Sequence, residues 1–190
     1  MQDGYRIRPT TDADVDAMLT IYRHHIARGV DVNAIHDGEP VDPDEIKRRR
    51  KNFHNKKLPH LVVEKAGSVV AYAYVVPFRK RPAYRFTVKH SVYVHQDHQR
   101  SGIGKALLPA LIDACAASGF RQMIGYIDAA NVASLKLHDL CHFQRVGFLP
   151  AVGYKFGAWT DVVMVQRSLG PGSTAPPETW VGRRNGGPVA

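Results

Sequence analysis

The residue pattern with the clearest chemical meaning is a pair of glycines between a strand and a helix. Gln99 and Arg100 precede Gly102 and Gly104, and Lys105 follows. Glycines let a ligand approach the backbone closely, and the first turn of a helix offers unpaired N–H groups and a positive dipole. The pattern therefore predicts a seat for a pyrophosphate, although a plain glycine-rich turn would contain the same residues.

Several other kinds of site find no support in the sequence. His90, His95 and His98 lie close together, but no cysteine or acid completes a ligand set, so we expect no metal site. His138 and His142 lack the glutamate of a zinc-protease motif, which favours packing or surface roles. The chain has no Gly-x-Ser-x-Gly segment and therefore no candidate nucleophile for a hydrolase.

The whole chain carries an excess of positive charge. Its 190 residues include 26 Lys and Arg against 17 Asp and Glu, a net charge of +9. Such a surplus favours an anionic partner, which could be nucleic acid, a membrane surface or a phosphorylated small molecule. Part of it is a basic run from Lys47 to Lys57, which is either a solvated helix face or an anion-binding patch.

The composition fits one globular domain with a tail. With 44% apolar and 23% charged residues, we expect a domain over residues 1–169 and a Gly/Pro-rich tail over residues 170–190, which Trp180 could anchor to the body. Cys115 and Cys141 are too few for a disulfide framework. Since no signal peptide and no apolar stretch of about 18 residues is present, we expect a cytoplasmic protein without a membrane partner.

Strands and helices alternate along the predicted domain. Periodicity and turn residues predict strands over 5–8, 61–66, 69–76, 86–94, 123–127 and 161–167, and helices beginning near Thr11, Asp42, Ser101 and Asn131. Residues 29–41 are predicted to be irregular, with two glycines and a proline. One strand–helix–strand unit at the centre of this order is typical of an α/β protein with a mixed sheet and helices on its faces.

The glycine segment resembles the acetyl-CoA motif of the GNAT N-acetyltransferase superfamily, Arg/Gln-x-x-Gly-x-Gly/Ala. Segments 87–94 (TVKHSVYV), 131–138 (NVASLKLH), 146–148 (VGF) and 153–162 (GYKFGAWTDV) further resemble the phosphinothricin and methionine sulfoximine N-acetyltransferases. The likeness spans residues 4–169. It implies the GNAT fold, with a mixed central sheet of six to seven strands flanked by helices. It also implies acetyl-CoA as co-substrate, no metal, and a small amine as acceptor.

This resemblance assigns roles to individual residues. Backbone groups of Val92, Tyr93 and Val94 would hold the pantetheine and the thioester carbonyl, since an unpaired strand N–H can stabilise an oxyanion. The pyrophosphate cradle would comprise Gln99, Arg100, Ser101, Gly102, Ile103, Gly104 and Lys105. Asn131 and Ser134 would lie along the pantetheine arm, although Asn131 could equally cap a helix. The substrate-binding residues would be Arg79, Arg85, Thr87 and Val88. Family members often pair as homodimers, and residues 150–160 would form the contact.

The chain departs from the family at the position of the general base. Where the family carries a glutamate on the fourth strand, this chain has Lys89, and an ordinary lysine is protonated and cannot accept a proton. Lys89 could act as the base if neighbouring arginines lowered its pKa. Alternatively His90, Asp37 or Glu39 could accept the proton, or Lys89 could bind an acidic substrate.

Two functions follow from these observations. The first is direct acetyl transfer from acetyl-CoA to the primary amine of a small amino-acid-like acceptor, with no covalent enzyme intermediate. The second is an acyl-CoA-binding or sensor protein on the same scaffold, which lost its base when Lys89 replaced the glutamate. A nucleic-acid partner is not expected, because the sequence has no nucleic-acid-binding motif. Part of the positive charge would then serve the phosphates of CoA.

Overall fold

The computed structural model describes residues 4–27 and 58–177, together with residues 44, 47, 48, 50 and 51 between them. The strands are β1 (Tyr5–Pro9), β2 (His60–Lys65), β3 (Ser68–Pro77), β4 (Thr87–Val94), β5 (Gln122–Asp128), β6 (Gln144–Lys155) and β7 (Ala158–Ser168). The helices bounded by described residues are α1 (Val15–Ala27), α2 (Ile103–Ala117) and α3 (Val132–Leu140). The seven strands form one sheet in the order β1-β2-β3-β4-β5-β7-β6.

The sheet is mixed, as the sequence predicts. Strands β4 and β5 run parallel, with α2 crossing between them, and the other neighbouring strands run antiparallel. One face packs against α2 and α3, where Leu107 and Leu111 are fully buried. The other face packs against α1 through Tyr22, which meets Tyr93 of β4. Side chains of β4 therefore point alternately into two covered layers.

A charged cluster anchors the start of α1. Thr11 N–H donates to Asp14 at 2.7 Å just before the helix, and Arg8 of β1 donates to both carboxylate oxygens of Asp14 at 2.7 Å. Arg8 also donates to Glu64 of β2 at 2.7 Å. The bidentate Arg8 contact holds the pKa of Asp14 at about 2, well below its usual range. These bonds fasten α1 to the edge of the sheet.

Strand β6 is absent from the strands that the sequence predicts. Gly147, Pro150 and Gly153 interrupt its pattern, and its register with β7 shifts between Arg145 and Gly147 and again between Leu149 and Gly153. Because β6 lies at the sheet edge, it tolerates a proline and irregular pairing that a central strand would not. The sheet therefore has one strand more than the predicted elements.

Some sequence predictions concern residues outside this description. The irregular segment 29–41, with Asp37 and Glu39, lies outside the described residues, and so does Trp180. Of the helix predicted from Asp42, the five described positions are helical. Arg50 of the basic run donates from Nε to Asp12 at 2.7 Å, so this part of the run contacts the body of the protein.

Candidate active site

Strands β4 and β5 separate after a short paired stretch. Pairing runs from Thr87 opposite Gln122 to Lys89 opposite Ile124, and the described structure shows no later pair between these two strands. Beyond that point β4 continues to pair with β3, and β5 with β7. The strands thus leave a wedge, which has its apex at Lys89 and Ile124 and opens toward the end of β4.

The backbone of β4 presents hydrogen-bonding groups to this wedge. His95 N–H and Thr87 O both form bonds on the β3 side, at 2.8 and 3.0 Å. Because backbone groups alternate along a strand, those of Val92 and Val94 face the opposite side, which is the wedge. His25 of α1 reaches the same side, with its Nε2 3.0 Å from Val94 O. The two valines can therefore offer N–H groups to a carbonyl oxygen lying in the wedge.

Tyr93, predicted with these valines, is oriented differently. By the same alternation its backbone faces β3, and its ring is 5% exposed beneath α1. There it stacks on Tyr72 with ring centroids 4.8 Å apart. Tyr93 thus supports the strand from the α1 side, and its neighbours Val92 and Val94 face the wedge.

The predicted phosphate cradle surrounds the start of α2. Gly102 caps the helix with φ +86°, and no atom lies within 4 Å of where its Cβ would stand. Arg100 is also left-handed, with φ +61°, and Ser101 Oγ donates to His98 O at 2.6 Å. These turns lead directly into the first turn of α2, where N–H groups have no partner within the helix and where Lys105 lies. This is the arrangement that a helix offers to a phosphate.

The cradle residues differ in what they present. Gln99, Arg100, Ser101, Gly102 and Lys105 are exposed. Ile103 is 2% exposed and belongs to the core, so only its backbone can reach a ligand. A Cβ on Gly104 would lie 3.3 Å from Leu137 of α3 and 4.0 Å from Val94. Three elements therefore meet at Gly104: the start of α2, the end of β4, and α3. The absence of a side chain at Gly104 lets them approach closely.

Asn131 and Ser134 lie at the start of α3. Asn131 Oδ1 accepts from Ser134 N–H at 3.0 Å, which confirms Asn131 as the helix cap. Leu137, one turn further along, is the residue that approaches Gly104. Asn131 and Ser134 thus lie at the start of the helix that meets Gly104, and their contact with the pantetheine arm stays a prediction.

Lys89 opens into a cavity on the α1 face of the sheet. The cavity holds about 360 Å³. It is lined by Phe78, Lys89, Tyr126, Leu149, Val152, Gly153, Lys155, Thr160 and Val162. Lys89 Nζ lies 5.7 Å from the centroid of the Tyr126 ring. The described lining of this Lys89 cavity thus combines two cations with apolar walls and the hydroxyls of Tyr126 and Thr160, and contains no carboxylate.

The four residues predicted to bind substrate do not gather in the Lys89 cavity. Arg79 lies beside it, with Cζ 5.4 Å from the ring of the lining residue Phe78. Arg85 packs on Phe86 at 4.5 Å, and Thr87 lines a second cavity at the base of the sheet. Val88 is 0% exposed in the core beneath α2, so its side chain cannot touch a substrate.

His90 lies on the opposite face from Lys89. It is 4% exposed, with Nδ1 2.9 Å from Ile124 O and Nε2 2.8 Å from Nε2 of His138, whose Nδ1 lies 2.7 Å from Ser134 O. Burial lowers the pKa of His90 to about 3 and lowers that of His138. The structure therefore separates His90 from the Lys89 cavity, and this buried pair joins β4 to α3.

The packing around His90 leaves no room for a side chain at Gly125. A Cβ there would lie 2.8 Å from His90 Cε1 and 2.9 Å from Val165 Cγ2. We expect Gly125→Ala to lower the free energy of unfolding in urea by about 1–3 kcal/mol, because both neighbours must shift. Gly147→Ala is the control, since its nearest atom would be Met164 Sδ at 3.4 Å. Equal stability of the two variants would contradict this packing.

The free energy of unfolding should fall as the pH drops below about 7. Burial lowers the pKa of His60 to about 4, as it lowers those of His90 and His138. Below about pH 6.5 the histidines of the unfolded chain bind protons, whereas the same rings stay neutral in the folded protein. The free energy of unfolding therefore falls by up to about 1.4 kcal/mol per pH unit for each ring. Urea titrations across this range measure the slope. His60→Phe keeps a ring and should reduce the slope by about one proton, and a flat profile would refute the account.

Sequence reasoning missed several residues around the site. Tyr126, Lys155 and Thr160 line the Lys89 cavity from β5, β6 and β7. His138 is the partner of His90 across 48 positions of the chain. Alternation along β5 could have placed Tyr126 on the same face as its neighbour Lys89, but the pairing of distant strands leaves no local signal.

The described residues offer neither a metal site nor a membrane-spanning helix. They contain no group of three or more His, Cys, Asp or Glu arranged to hold a metal ion. None of their helices has the length and apolar character needed to cross a membrane. Cys115 and Cys141 are free and buried, and burial raises the pKa of Cys115 to about 12.

Comparison with known proteins agrees with this geometry. Residues 28–143 match the model of the acetyltransferase (GNAT) family. The chain is 40% identical to the phosphinothricin N-acetyltransferase of Alcaligenes faecalis over 173 residues, covering 90% of this chain and 86% of that protein. It is 37% identical to the L-methionine sulfoximine/L-methionine sulfone acetyltransferase of Salmonella typhimurium over 166 residues, covering 86% and 94%.

A solved structure shows the same architecture with a ligand. The phosphinothricin acetyltransferase of Sinorhizobium meliloti, crystallised with acetyl-CoA, superposes with a TM-score of 0.87 at 36% identity, covering 93% of this chain and 95% of that one. The mixed sheet with its flanking helices is thus the GNAT fold, as the sequence predicts. The chain belongs to the GNAT family, and it is an N-acetyltransferase of the phosphinothricin and methionine sulfoximine acetyltransferase-like group.

Proposed function

We propose that this enzyme transfers the acetyl group of acetyl-CoA to the primary amine of a small, anionic, amino-acid-like acceptor. The observation that carries the proposal is the wedge between β4 and β5. On one face of the sheet it adjoins the start of α2, and on the other it adjoins the Lys89 cavity. A thioester held from the first face and an amine held from the second would meet at the wedge.

The α2 side fits acetyl-CoA. The first N–H groups of α2, at Gly102, Ile103 and Gly104, with Lys105 and Arg100 nearby, would hold the pyrophosphate. Backbone groups of Val92 and Val94 would bind the pantetheine and the thioester oxygen, where N–H donors contribute a few kcal/mol as negative charge develops. The ligand supplies an activated acetyl group, and the chain aligns it. A related structure that contains acetyl-CoA supports this assignment.

The Lys89 side fits an acceptor that carries acid groups. Lys89 and Lys155 place two cations in one cavity, and Arg79 stands behind Phe78 at its edge. Opposite charges in a partly enclosed site attract a carboxylate or phosphinate strongly. The names of the related enzymes point to the same class, since phosphinothricin carries both a carboxylate and a phosphinate. Lys89 therefore serves in this proposal as an anion-binding residue.

The selectivity among acceptors tests this proposal. We expect kcat/KM to be highest for phosphinothricin, which carries two acid groups, lower for methionine sulfoximine, which carries one, and lowest for a simple alkylamine. The rate of CoA release with each amine gives the order. The opposite order would show that Lys89 and Lys155 do not recognise the acceptor.

We place a domain boundary near residue 169, although the described start of the tail contacts the body, where Arg121 donates to Pro176 O at 3.2 Å. Two free cysteines fit a reducing compartment, which favours the cytoplasm.

A homodimer through the β6–β7 hairpin is also part of the proposal. Within residues 150–160 the hairpin exposes four large apolar side chains, Val152, Tyr154, Phe156 and Trp159, each more than half exposed. An apolar patch of this kind favours a protein contact. Trp159→Glu should therefore yield monomers in light scattering, and a monomeric parent protein would contradict the contact.

A further inference from the structure

Lys89 brings a primary amine of the chain itself to the place where an acceptor amine would react. It belongs to the last residue pair before β4 and β5 separate, so it stands at the apex of the wedge. Its side chain lines the Lys89 cavity. A glutamate at this position would offer only oxygen atoms, whereas a lysine offers a nucleophilic nitrogen.

The Lys89 amine lies close to a ring of the neighbouring strand β5. Lys89 pairs with Ile124, yet its Nζ lies 5.7 Å from the ring of Tyr126, two residues further along β5. Two residues of a parallel strand advance by about 6.6 Å. The Lys89 amine therefore lies near a ring that belongs to β5 beyond the last strand pair, where the wedge has begun to open.

We propose that Lys89 is itself an acetyl acceptor, so that the enzyme acetylates this side chain when acetyl-CoA is bound and no amine fills the cavity. The inference rests on the proposed function, because it uses the same acetyl donor and the same wedge. Holding the amine beside the thioester replaces a bimolecular encounter by a reaction within one complex.

The atoms of this step balance without a further reactant. The neutral Nζ of Lys89 attacks the thioester carbonyl carbon, a C–N bond forms, and the C–S bond breaks. CoA leaves as its thiol after gaining a proton, and the nitrogen loses a proton to water. The product is an uncharged acetyl-lysine, which removes one of the two cations from the described lining of the cavity.

Lys155 provides a comparison within the same cavity. It lines the cavity from the end of β6, and β5 and β7 stand between β6 and β4 in the sheet. Lys155 thus shares the environment of Lys89 without standing at the apex. We therefore expect acetylation of Lys89 and none of Lys155.

The experiment follows acetylation of the intact enzyme with isotope-labelled acetyl-CoA and no amine, using peptide mass spectrometry to locate the label. Lys89 should be labelled at least tenfold faster than any other lysine. The rate constant should not depend on enzyme concentration, should rise with pH because only the neutral amine attacks, and should fall when a good acceptor is added. Lys89→Arg should abolish the main labelled site, and Gly102→Asp, which weakens acetyl-CoA binding, should slow labelling. Uniform chemical labelling of surface lysines would not respond to Gly102→Asp.

The outcomes separate this inference from the proposed function. Labelling of Lys89 without turnover of any amine would support the inference and refute the proposed acceptor class. Turnover of an amine with Lys89 left unlabelled would overturn the inference and leave the function intact. Labelling of Lys155 or of surface lysines at the same rate as Lys89 would also overturn the inference.

Discussion

Gly102→Asp should raise the dissociation constant of acetyl-CoA on the order of 100-fold. The substitution places a carboxylate at the cap of α2, where we propose that the pyrophosphate binds. Two unit charges about 5 Å apart at an effective dielectric constant near 20 repel by about 3 kcal/mol, which corresponds to that factor. The left-handed backbone of Gly102, with φ +86°, strains any L side chain although the new Cβ meets no neighbouring atom within 4 Å, so we expect the free energy of unfolding to fall by about 1–2 kcal/mol with the fold retained. Isothermal titration calorimetry measures the affinity.

The same helix supplies a matched control. Gly119, at the far end of α2, has φ +85° against +86° for Gly102, and its Cβ would also meet no atom within 4 Å. Gly119→Asp therefore makes the same chemical change in a similar backbone conformation, and we expect acetyl-CoA affinity to stay within about twofold because the charge lies beyond a Debye length. Gly102→Asn introduces a side chain of the same size without a charge, and it should retain most of the affinity for acetyl-CoA. Equal losses of acetyl-CoA affinity in Gly102→Asp and Gly119→Asp would contradict a phosphate site at the start of α2.

Lys89→Glu should lower kcat/KM for an acceptor with two acid groups on the order of 100-fold, mainly through KM. The change replaces an attraction by a repulsion within one cavity, and each is worth up to a few kcal/mol at an effective dielectric constant near 20. Lys89→Gln removes the charge alone and should lose about tenfold. Steady-state kinetics with saturating acetyl-CoA distinguish the two variants.

Two readouts make this prediction specific. Acetyl-CoA affinity should remain within about twofold of the parent, because Lys89 lies on the opposite face of the sheet from α2. Lys155→Gln, which removes the other lysine of the cavity, should resemble Lys89→Gln for the same acceptor. A rise in kcat of Lys89→Glu at unchanged KM would contradict substrate binding by Lys89 and would instead mark the position of a lost general base.

Local patterns were sufficient to predict most of the fold. The glycine turn before α2 and the cap at Asn131 each depend on a few adjacent residues, and the structure confirms them. Strand β6 was not predicted, because Pro150 and two glycines interrupt its alternation of apolar and polar residues. Its pairing with β7 is what makes it a strand. Propensity is a weak guide where tertiary pairing decides the conformation.

Sequence reasoning could likewise predict only those parts of the candidate site whose residues are adjacent in the chain. The phosphate cradle is one continuous segment, so its residues could be proposed together from the sequence. The Lys89 cavity is built from β4, β5, β6 and β7, and nothing near Lys89 in the sequence indicates Tyr126 or Lys155. The burial of Val88 and His90 follows from α2 covering one face of β4, which alternation alone could not assign.

In the proposed reaction a thioester and an amine meet at the wedge between β4 and β5. The most direct measurement is the release of CoA thiol by the parent enzyme with acetyl-CoA and phosphinothricin or methionine sulfoximine, together with identification of the product by mass spectrometry. We expect one N-acetylated acceptor for each CoA released. Tight binding of acetyl-CoA with no CoA release in the presence of either amine, or of any other amine tested, would contradict it.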